Sequence, residues 1–161
     1  NMSECYEALP YGAEKVPNIP PHVIERAKRE AAIRIESDYL LKMQGFVEMT
    51  FANVSKGQAV HVRRYYVIME LLRGVTLYDL MQGKTNDEAG NVVEYAKDLY
   101  DSFVTDKYNT IKTIMEQVLK GVMALHNANY IHRDIDPTNI MVCDEGHIKL
   151  IDFGICKKIR N

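Results

Sequence analysis

The chain has 161 residues, of which 47% are hydrophobic, and a formal net charge of -2 at pH 7. This composition is ordinary for one globular domain or two small lobes, and the lack of a basic excess argues against nucleic acid or an anionic membrane as a partner. No apolar run approaches the roughly 20 residues of a membrane-spanning helix, and the first ten residues lack a signal-peptide pattern. Because the three cysteines have no close spacing, we expect reduced thiols in a cytoplasmic protein rather than disulfides or a zinc site.

The first part of the chain predicts two short strands and a helix. Residues 5–8 and 11–16 favour strands, with a turn at Leu9 and Pro10 between them. Two prolines then suit the first turn of a helix, and apolar residues recur at helical spacing over residues 22–36. Two further strands are predicted at 40–51 and 59–69, joined by a hairpin turn around Gly57 within residues 53–58.

The second part predicts helices followed by a hairpin. A short helical segment at 77–81 precedes a polar loop at 82–90, and a longer helix covers residues 111–125 at spacings of three and four. Two apolar strands, 140–142 and 148–151, enclose a turn at 144–146, where Gly146 can adopt a positive φ. This order of elements predicts an α+β fold. An acidic helix is also predicted within residues 91–104, and its apolar face consists of Val92, Ala96, Leu99 and Phe103.

The most informative segment reads H-R-D-I-D-P-T-N, followed after one hairpin by D-F-G. Asp134 and Asn139 lie on a loop between a helix and a strand, and Asp152 lies at the far end of the hairpin. Because a hairpin brings its two ends together, Asn139 and Asp152 should be neighbours. Their oxygens suit Mg²⁺, and Asp134 close to a metal-bound phosphate could accept a proton from an attacking hydroxyl. The segment therefore predicts metal-assisted phosphoryl transfer.

These two motifs resemble the catalytic loop H-R-D-x-x-x-x-N and the D-F-G segment of eukaryotic-type protein kinases. The resemblance implies that Asp134 orients the substrate hydroxyl, that Asn139 holds one Mg²⁺, and that Asp152 joins Mg²⁺ to the phosphates of ATP. It also implies that His132 and Phe153 belong to the packed column linking the two lobes.

The segment V-I-M-E-L-L-R-G resembles the last strand of the small lobe and the hinge of that family. By this resemblance Met69 is the gatekeeper, and the backbone of Glu70 and Leu72 binds adenine. Apolar cover for adenine is expected from Ala13 and Met141.

The segment A-E-K-V resembles the A-x-K strand of the same family, which implies that Lys15 contacts the α and β phosphates. Its expected partner on the following helix is Glu30, with Glu25 as the reserve. Arg34 stands one turn after Glu30, where the family usually has an apolar residue.

Three features depart from the family pattern. The glycine-rich phosphate loop is expected before Asn1, and the activation segment with its A-P-E motif is not found after D-F-G. Asp136 stands where serine/threonine kinases usually have a lysine that neutralises the transferred phosphate. A carboxylate there should weaken phosphate stabilisation unless it points away.

The resemblance implies a bilobal protein-kinase-like fold. We expect a β-rich N-lobe at residues 1–72 and a truncated helical C-lobe at residues 73–161 that contains the hinge, the catalytic loop and D-F-G. Residues 82–106 look like an insertion, either a docking element for a partner or, as we favour, a surface helix packed on its own lobe. Exposed faces of the 111–125 helix should need cover from other segments or a partner.

The expected function is an ATP- and Mg²⁺-dependent protein kinase that acts on serine or threonine of a protein substrate. Two alternatives remain. One is a pseudokinase or nucleotide-binding regulatory module, which the carboxylate of Asp136 favours. The other is a small-molecule kinase such as an aminoglycoside phosphotransferase, against which Arg133 and the intact Phe153-Gly154 pair argue.

Overall fold

A computed structural model of the chain describes residues 6–11, 19–55, 57–153 and 156–159. Ala13, Lys15 and Gly154 from the predicted motifs therefore lie outside the described residues. The described strands and helices form a mixed α+β structure, which confirms the predicted fold class. Two compact units divide the chain.

The first unit comprises Asn1–Arg34 and Lys42–Leu71. Its three described strands form one antiparallel sheet in the order β1-β3-β2, and helix α1 packs on β2 and β3. Ala27 and Ala31, spaced by four residues on one face of the helix, are buried, because small side chains allow a close approach of helix and sheet. The elements are β1 (Tyr6–Tyr11), α1 (Pro21–Ala31), β2 (Met43–Ser55) and β3 (Gln58–Glu70).

Strand β1 corrects the predicted turn near the start of the chain. It continues through Leu9 and Pro10, which pair with Val67 and Tyr66 of β3. The turn predicted at Leu9 and Pro10 is therefore wrong. Proline has no N–H to donate, but an edge strand can hold it where the missing donor faces away from the sheet, and β1 is at the edge among the described strands.

The β2–β3 hairpin is longer than predicted. Its register runs from Met43 opposite Met69 to Ser55 opposite Gln58, so Asn53 lies within the strand rather than in the turn. Gly57 adopts φ of 75° in the turn, a conformation that favours glycine.

The second unit comprises Ile35–Leu41 and Leu72–Asn161. It contains a three-stranded sheet in the order β4-β6-β7 and a two-stranded sheet of β5 and β8. The elements are β4 (Gly74–Thr76), α2 (Leu77–Met81), α3 (Glu94–Thr105), α4 (Lys107–Asn127), β5 (Tyr130–Ile131), a 3₁₀ turn (Pro137–Asn139), β6 (Ile140–Cys143), β7 (Ile148–Leu150) and β8 (Lys157–Lys158).

Helix α4 has one buried and one exposed apolar face. Ile114, Val118 and Leu125 are buried in the core of the second unit, whereas Ile111 and Met115 are exposed. The exposed face also includes Tyr108, Leu119 and Met123. Among the described residues, no helix combines the length and the apolar character that crossing a bilayer requires.

Helix α3, in the region predicted as an insertion, packs on its own unit. Ala96 and Leu99 are buried, and the helix lies against α4 and β6. Asp144, in the β6–β7 turn, accepts a hydrogen bond from the backbone N–H of Glu94 at 2.8 Å. This N–H is at the start of α3 and has no acceptor within the helix, so the bond joins the helix to the hairpin. The favoured interpretation of residues 82–106, a surface helix packed on the same lobe, agrees with these contacts.

Strand β4 tolerates only glycine at its first position. A Cβ on Gly74 would lie 2.2 Å from the carbonyl oxygen of Val142, which is too close for any rotamer to relieve. We expect Gly74→Ala to lower the free energy of unfolding by about 2 kcal/mol or more, measured by urea denaturation. The matched control is Gly45→Ala, because a Cβ at Gly45 meets no atom within 4 Å; equal stability of the two variants would contradict the prediction.

Candidate active site

The loop after helix α4 contains two of the predicted catalytic residues, Asp134 and Asn139. The helix ends at Asn127, and the chain enters the loop through the short strand β5. The loop ends in the 3₁₀ turn, where the backbone N–H of Asn139 donates to the carbonyl of Asp136 at 2.8 Å. Strand β6 begins at the next residue, so the position of Asn139 is set by the turn before it and the strand after it.

The side chain of Asn139 is bonded to Asp134. Its Nδ2 donates to the carboxylate Oδ2 of Asp134 at 2.9 Å and to the carbonyl of the same residue at 3.1 Å. Since both bonds use the nitrogen, the amide oxygen Oδ1 is the atom that remains for another ligand. Oδ1 of Asp134 is likewise the carboxylate oxygen that remains to accept a proton. Both side chains are half-buried.

The hairpin places Asn139 beside the D-F-G segment, as the hairpin argument predicted. Strands β6 and β7 pair Ile140 with Leu150, and the N–H of Ile151 donates to the carbonyl of Asn139 at 2.9 Å. Asp152 follows directly, with φ of 59°. This left-handed conformation is less costly for Asp than for most other residues.

His132 joins the loop to the hairpin. Its side chain is only 3% exposed, its Nε2 lies 2.9 Å from the carbonyl oxygen of Ile151, and its Nδ1 accepts the N–H of Asp134 at 3.2 Å. Because a carbonyl only accepts, Nε2 is the donor of this bond, and Nδ1 is the acceptor of the other. Its ring also packs edge-to-face on Phe153 at 5.8 Å. One residue therefore fixes the backbone on both sides of the site.

Asp136 bonds to its own turn. Its Oδ1 accepts the N–H of Thr138 at 2.9 Å and the hydroxyl of Thr138 at 2.6 Å. These two hydrogen bonds, the hydroxyl first, lower the pKa of the Asp136 carboxyl below its usual value, and slight desolvation opposes them. The carboxylate thus remains charged at neutral pH, with one oxygen turned toward Thr138.

The donor set suits Mg²⁺ rather than a metal that needs a protein cage. Within the described ranges, no group of three or more His, Cys, Asp or Glu side chains could hold a metal ion. Mg²⁺ instead takes one or two carboxylates and completes its shell with phosphates and water. Asn139, with its oriented Oδ1, and Asp152, which follows the Ile151 N–H bonded to the Asn139 carbonyl, are residue types that fit this requirement.

The predicted ion-pair residues lie in the first unit. Glu30 is half-buried near the end of α1, while Lys15, its expected partner, is outside the described residues. The reserve, Glu25, is exposed and pairs with Lys28 at 3.7 Å. Arg34 does not pack as an apolar residue would. Its guanidinium donates to the carbonyls of Ala31, Ile33 and Gln44, which ties the end of α1 to β2.

The predicted adenine-binding residues are divided between the two units. In the first unit, Met69 and Glu70 end strand β3 and are half-buried. The N–H of Glu70 donates to the carbonyl of Lys42 at 2.9 Å, and Glu70 pairs with Tyr6 of β1. In the second unit, Leu72 and Met141 are half-buried, and Met141 lies in β6 opposite Thr76.

The structure adds one residue that the sequence analysis did not single out. Thr138 supplies both donors to Asp136, and no role was predicted for it. The signal was present in the sequence, because Asp side chains commonly accept the backbone N–H two residues ahead, and a proline between them favours that turn.

Comparison with known proteins finds similarity to protein kinases. A family profile described as "protein kinase domain" matches residues 23–161. The chain is 28% identical over 146 residues to "Probable serine/threonine-protein kinase mkcB" of Dictyostelium discoideum, covering 86% of this chain and 16% of that protein. It is 33% identical over 99 residues to "Rho-associated protein kinase let-502" of Caenorhabditis briggsae, covering 62% of this chain and 7% of that protein. It is 31% identical over 97 residues to "Serine/threonine-protein kinase PknL" of Mycobacterium tuberculosis, covering 60% of this chain and 20% of that protein. The chain thus spans at most 20% of the length of these relatives.

His132 gives a stability test of the site geometry. We expect His132→Phe to retain packing on Phe153 but to leave the Asp134 N–H and the Ile151 carbonyl unpaired. The free energy of unfolding should fall by about 2 kcal/mol, the cost of such a loss, measured by chemical denaturation. His126→Phe, at an exposed position near the end of α4, should change stability by less than about 0.5 kcal/mol. A loss as small in His132→Phe would contradict the bonding described.

Proposed function

Since the chain belongs to the protein kinase family, we propose that it contains the core of an ATP- and Mg²⁺-dependent site that phosphorylates serine or threonine in a protein substrate. The observation that carries the proposal is the bond from the Asn139 amide to the Asp134 carboxylate beside the end of strand β7. This contact presents an oriented carboxylate and an oriented amide oxygen at one place, which suit the roles of a base and a Mg²⁺ ligand in phosphoryl transfer.

Asp134 acts as the base that orients the attacking hydroxyl. Its Oδ2 is held by Asn139 and its N–H by His132, so the carboxylate cannot rotate freely. Its Oδ1 remains to accept the proton of a serine or threonine hydroxyl. Holding a reacting group in one orientation removes part of the entropic cost of the transition state.

Asn139 and Asp152 would hold the metal. Mg²⁺ bound with ATP would neutralise the charge of the transferred phosphate. Asn139 would contribute its Oδ1, whose direction is set by the two bonds to Asp134. Asp152, which follows the end of β7 and has φ of 59°, would contribute its carboxylate.

The remaining roles are proposed from the motifs that resemble those of the family. Lys15 contacts the α and β phosphates and pairs with Glu30. The adenine ring is contacted by Ala13, Met69, Glu70, Leu72 and Met141. Similarity to relatives named as serine/threonine kinases supports serine or threonine as the acceptor, and the wide spacing of the three cysteines supports a reducing, cytoplasmic location.

Removing the Asp134 carboxylate tests the proposed function. We expect Asp134→Ala to lower kcat for phosphate transfer to a protein substrate by about 100-fold to 10,000-fold, the usual contribution of a positioned base. The measurement is incorporation of labelled phosphate from ATP by the full protein. Asp101→Ala, on the exposed side of α3, is the control and should retain wild-type activity. Equal rates in the two variants would contradict the assignment of Asp134 as the base.

A pseudokinase is the second candidate, and the carboxylate of Asp136 in the position of the usual lysine favours it. That residue brings a negative charge where the family usually brings a positive one. A pseudokinase should bind ATP and Mg²⁺, seen as a rise in the unfolding temperature, without transferring phosphate. Turnover that the Asp134→Ala substitution abolishes would eliminate this candidate.

A further inference from the structure

Asp136 occupies the loop between the proposed base and the proposed metal ligand, at a position where its family usually has a lysine. We infer that Asp136 is a positioning residue, whose carboxylate holds the 137–139 turn and thereby keeps the Asn139 amide on Asp134. The catalytic consequence rests on the proposed function, whereas the structural part stands on the bonds of the loop itself.

The carboxylate is the contact that closes the turn. A 3₁₀ turn of three residues has poor hydrogen-bond geometry and little stability of its own. Here Pro137 fixes the first φ of the turn, and Oδ1 of Asp136 accepts both the N–H and the hydroxyl of Thr138. Two donors on one oxygen hold the turn in one conformation, which a lysine side chain, having no acceptor, could not do.

The turn then determines where the Asn139 side chain lies. The N–H of Asn139 donates to the carbonyl of Asp136 at 2.8 Å, and its Nδ2 reaches Asp134 at 2.9 Å. If the turn opened, the Cα of Asn139 would shift and the amide would lose one or both bonds to Asp134. A misplacement of about 1 Å near reacting groups costs on the order of 100-fold in rate, so a partial loss of order is expected to be measurable.

An electrostatic role for Asp136 makes a different prediction from a positioning role. If its negative charge acted on the phosphate, a neutral side chain of the same shape would change the rate. If its oxygen acted as an acceptor, Asp136→Asn and Asp136→Ser would retain the turn, because Asn and Ser cap helical turns about as well as Asp. Asp136→Ala and Asp136→Lys both remove the acceptor, although their charges differ.

The kinetic experiment measures kcat and the KM for ATP of the full protein for these four variants. We expect Asp136→Ala and Asp136→Lys to lower kcat by roughly tenfold, with KM for ATP nearly unchanged, because a misplaced group acts mainly in the transition state. Asp136→Asn and Asp136→Ser should stay near wild type. The matched control is Asp87→Ala, which removes a similar carboxylate that accepts the N–H of Asn91 at 2.8 Å in a loop outside the site, and it should retain wild-type kcat.

Any of three kinetic results would overturn the inference. The first is a wild-type kcat in Asp136→Ala. The second is an Asp136→Asn variant as impaired as Asp136→Ala, and the third is an Asp136→Lys variant faster than wild type, because these last two results would assign the effect to charge.

A second measurement does not depend on turnover. In protein with ¹⁵N-labelled asparagine, the Nδ2 resonances of Asn139, assigned by their loss in Asn139→Ala, should move in Asp136→Ala and stay in place in Asp136→Asn and Asp87→Ala. If the wild type transfers no phosphate, the proposed function fails while this test still decides the positioning role. Unchanged Asn139 resonances in Asp136→Ala would refute that role.

Discussion

The two hydrogen bonds from the Asn139 amide to Asp134 are the contacts on which the rest of the candidate site depends. They occupy the amide nitrogen and one carboxylate oxygen. The atoms that remain are an amide oxygen suited to a hard cation and a carboxylate oxygen suited to a hydroxyl proton. Without this pair, both side chains could rotate, and the chemistry would lose the fixed orientation on which positioning catalysis relies.

The core of the second unit keeps these contacts in place. Strand β7 is bonded from several directions, since Ile148 donates to the side chain of Gln117 on α4 and Leu150 exchanges backbone bonds with Tyr39 and Leu41. Ile151 continues this fixed strand and bonds both Asn139 and His132. The site therefore lies at the end of a well-packed strand, and its rigidity comes from hydrophobic burial around that strand rather than from the loop alone.

The sequence predicted most of the elements but was wrong where local signals conflicted with tertiary pairing. The periodicity of α4 and the turn at Gly146, with φ of 85°, were both predicted correctly, because helical spacing and glycine turns are local properties. The turn at Leu9 and Pro10 was wrong, because pairing with β3 overrode the usual signal of a proline. The hydrogen bonds of the Arg34 guanidinium could not be predicted either, because one of their acceptors, the carbonyl of Gln44, belongs to the next strand.

By itself, the sequence determined the kinds of chemical group present and their spacing, namely H-R-D-I-D-P-T-N followed by D-F-G, and thereby the family and the hairpin that joins the two motifs. The tertiary structure alone decided which nitrogen of His132 bonds to Ile151, which atom of Asn139 bonds to Asp134, and that Asp136 bonds to Thr138. The physical reason is that hydrogen-bond direction depends on where donors and acceptors lie in space. Those positions are set by the packing of segments far apart in the chain, such as Ile151 against His132, and not by the identity of neighbouring residues.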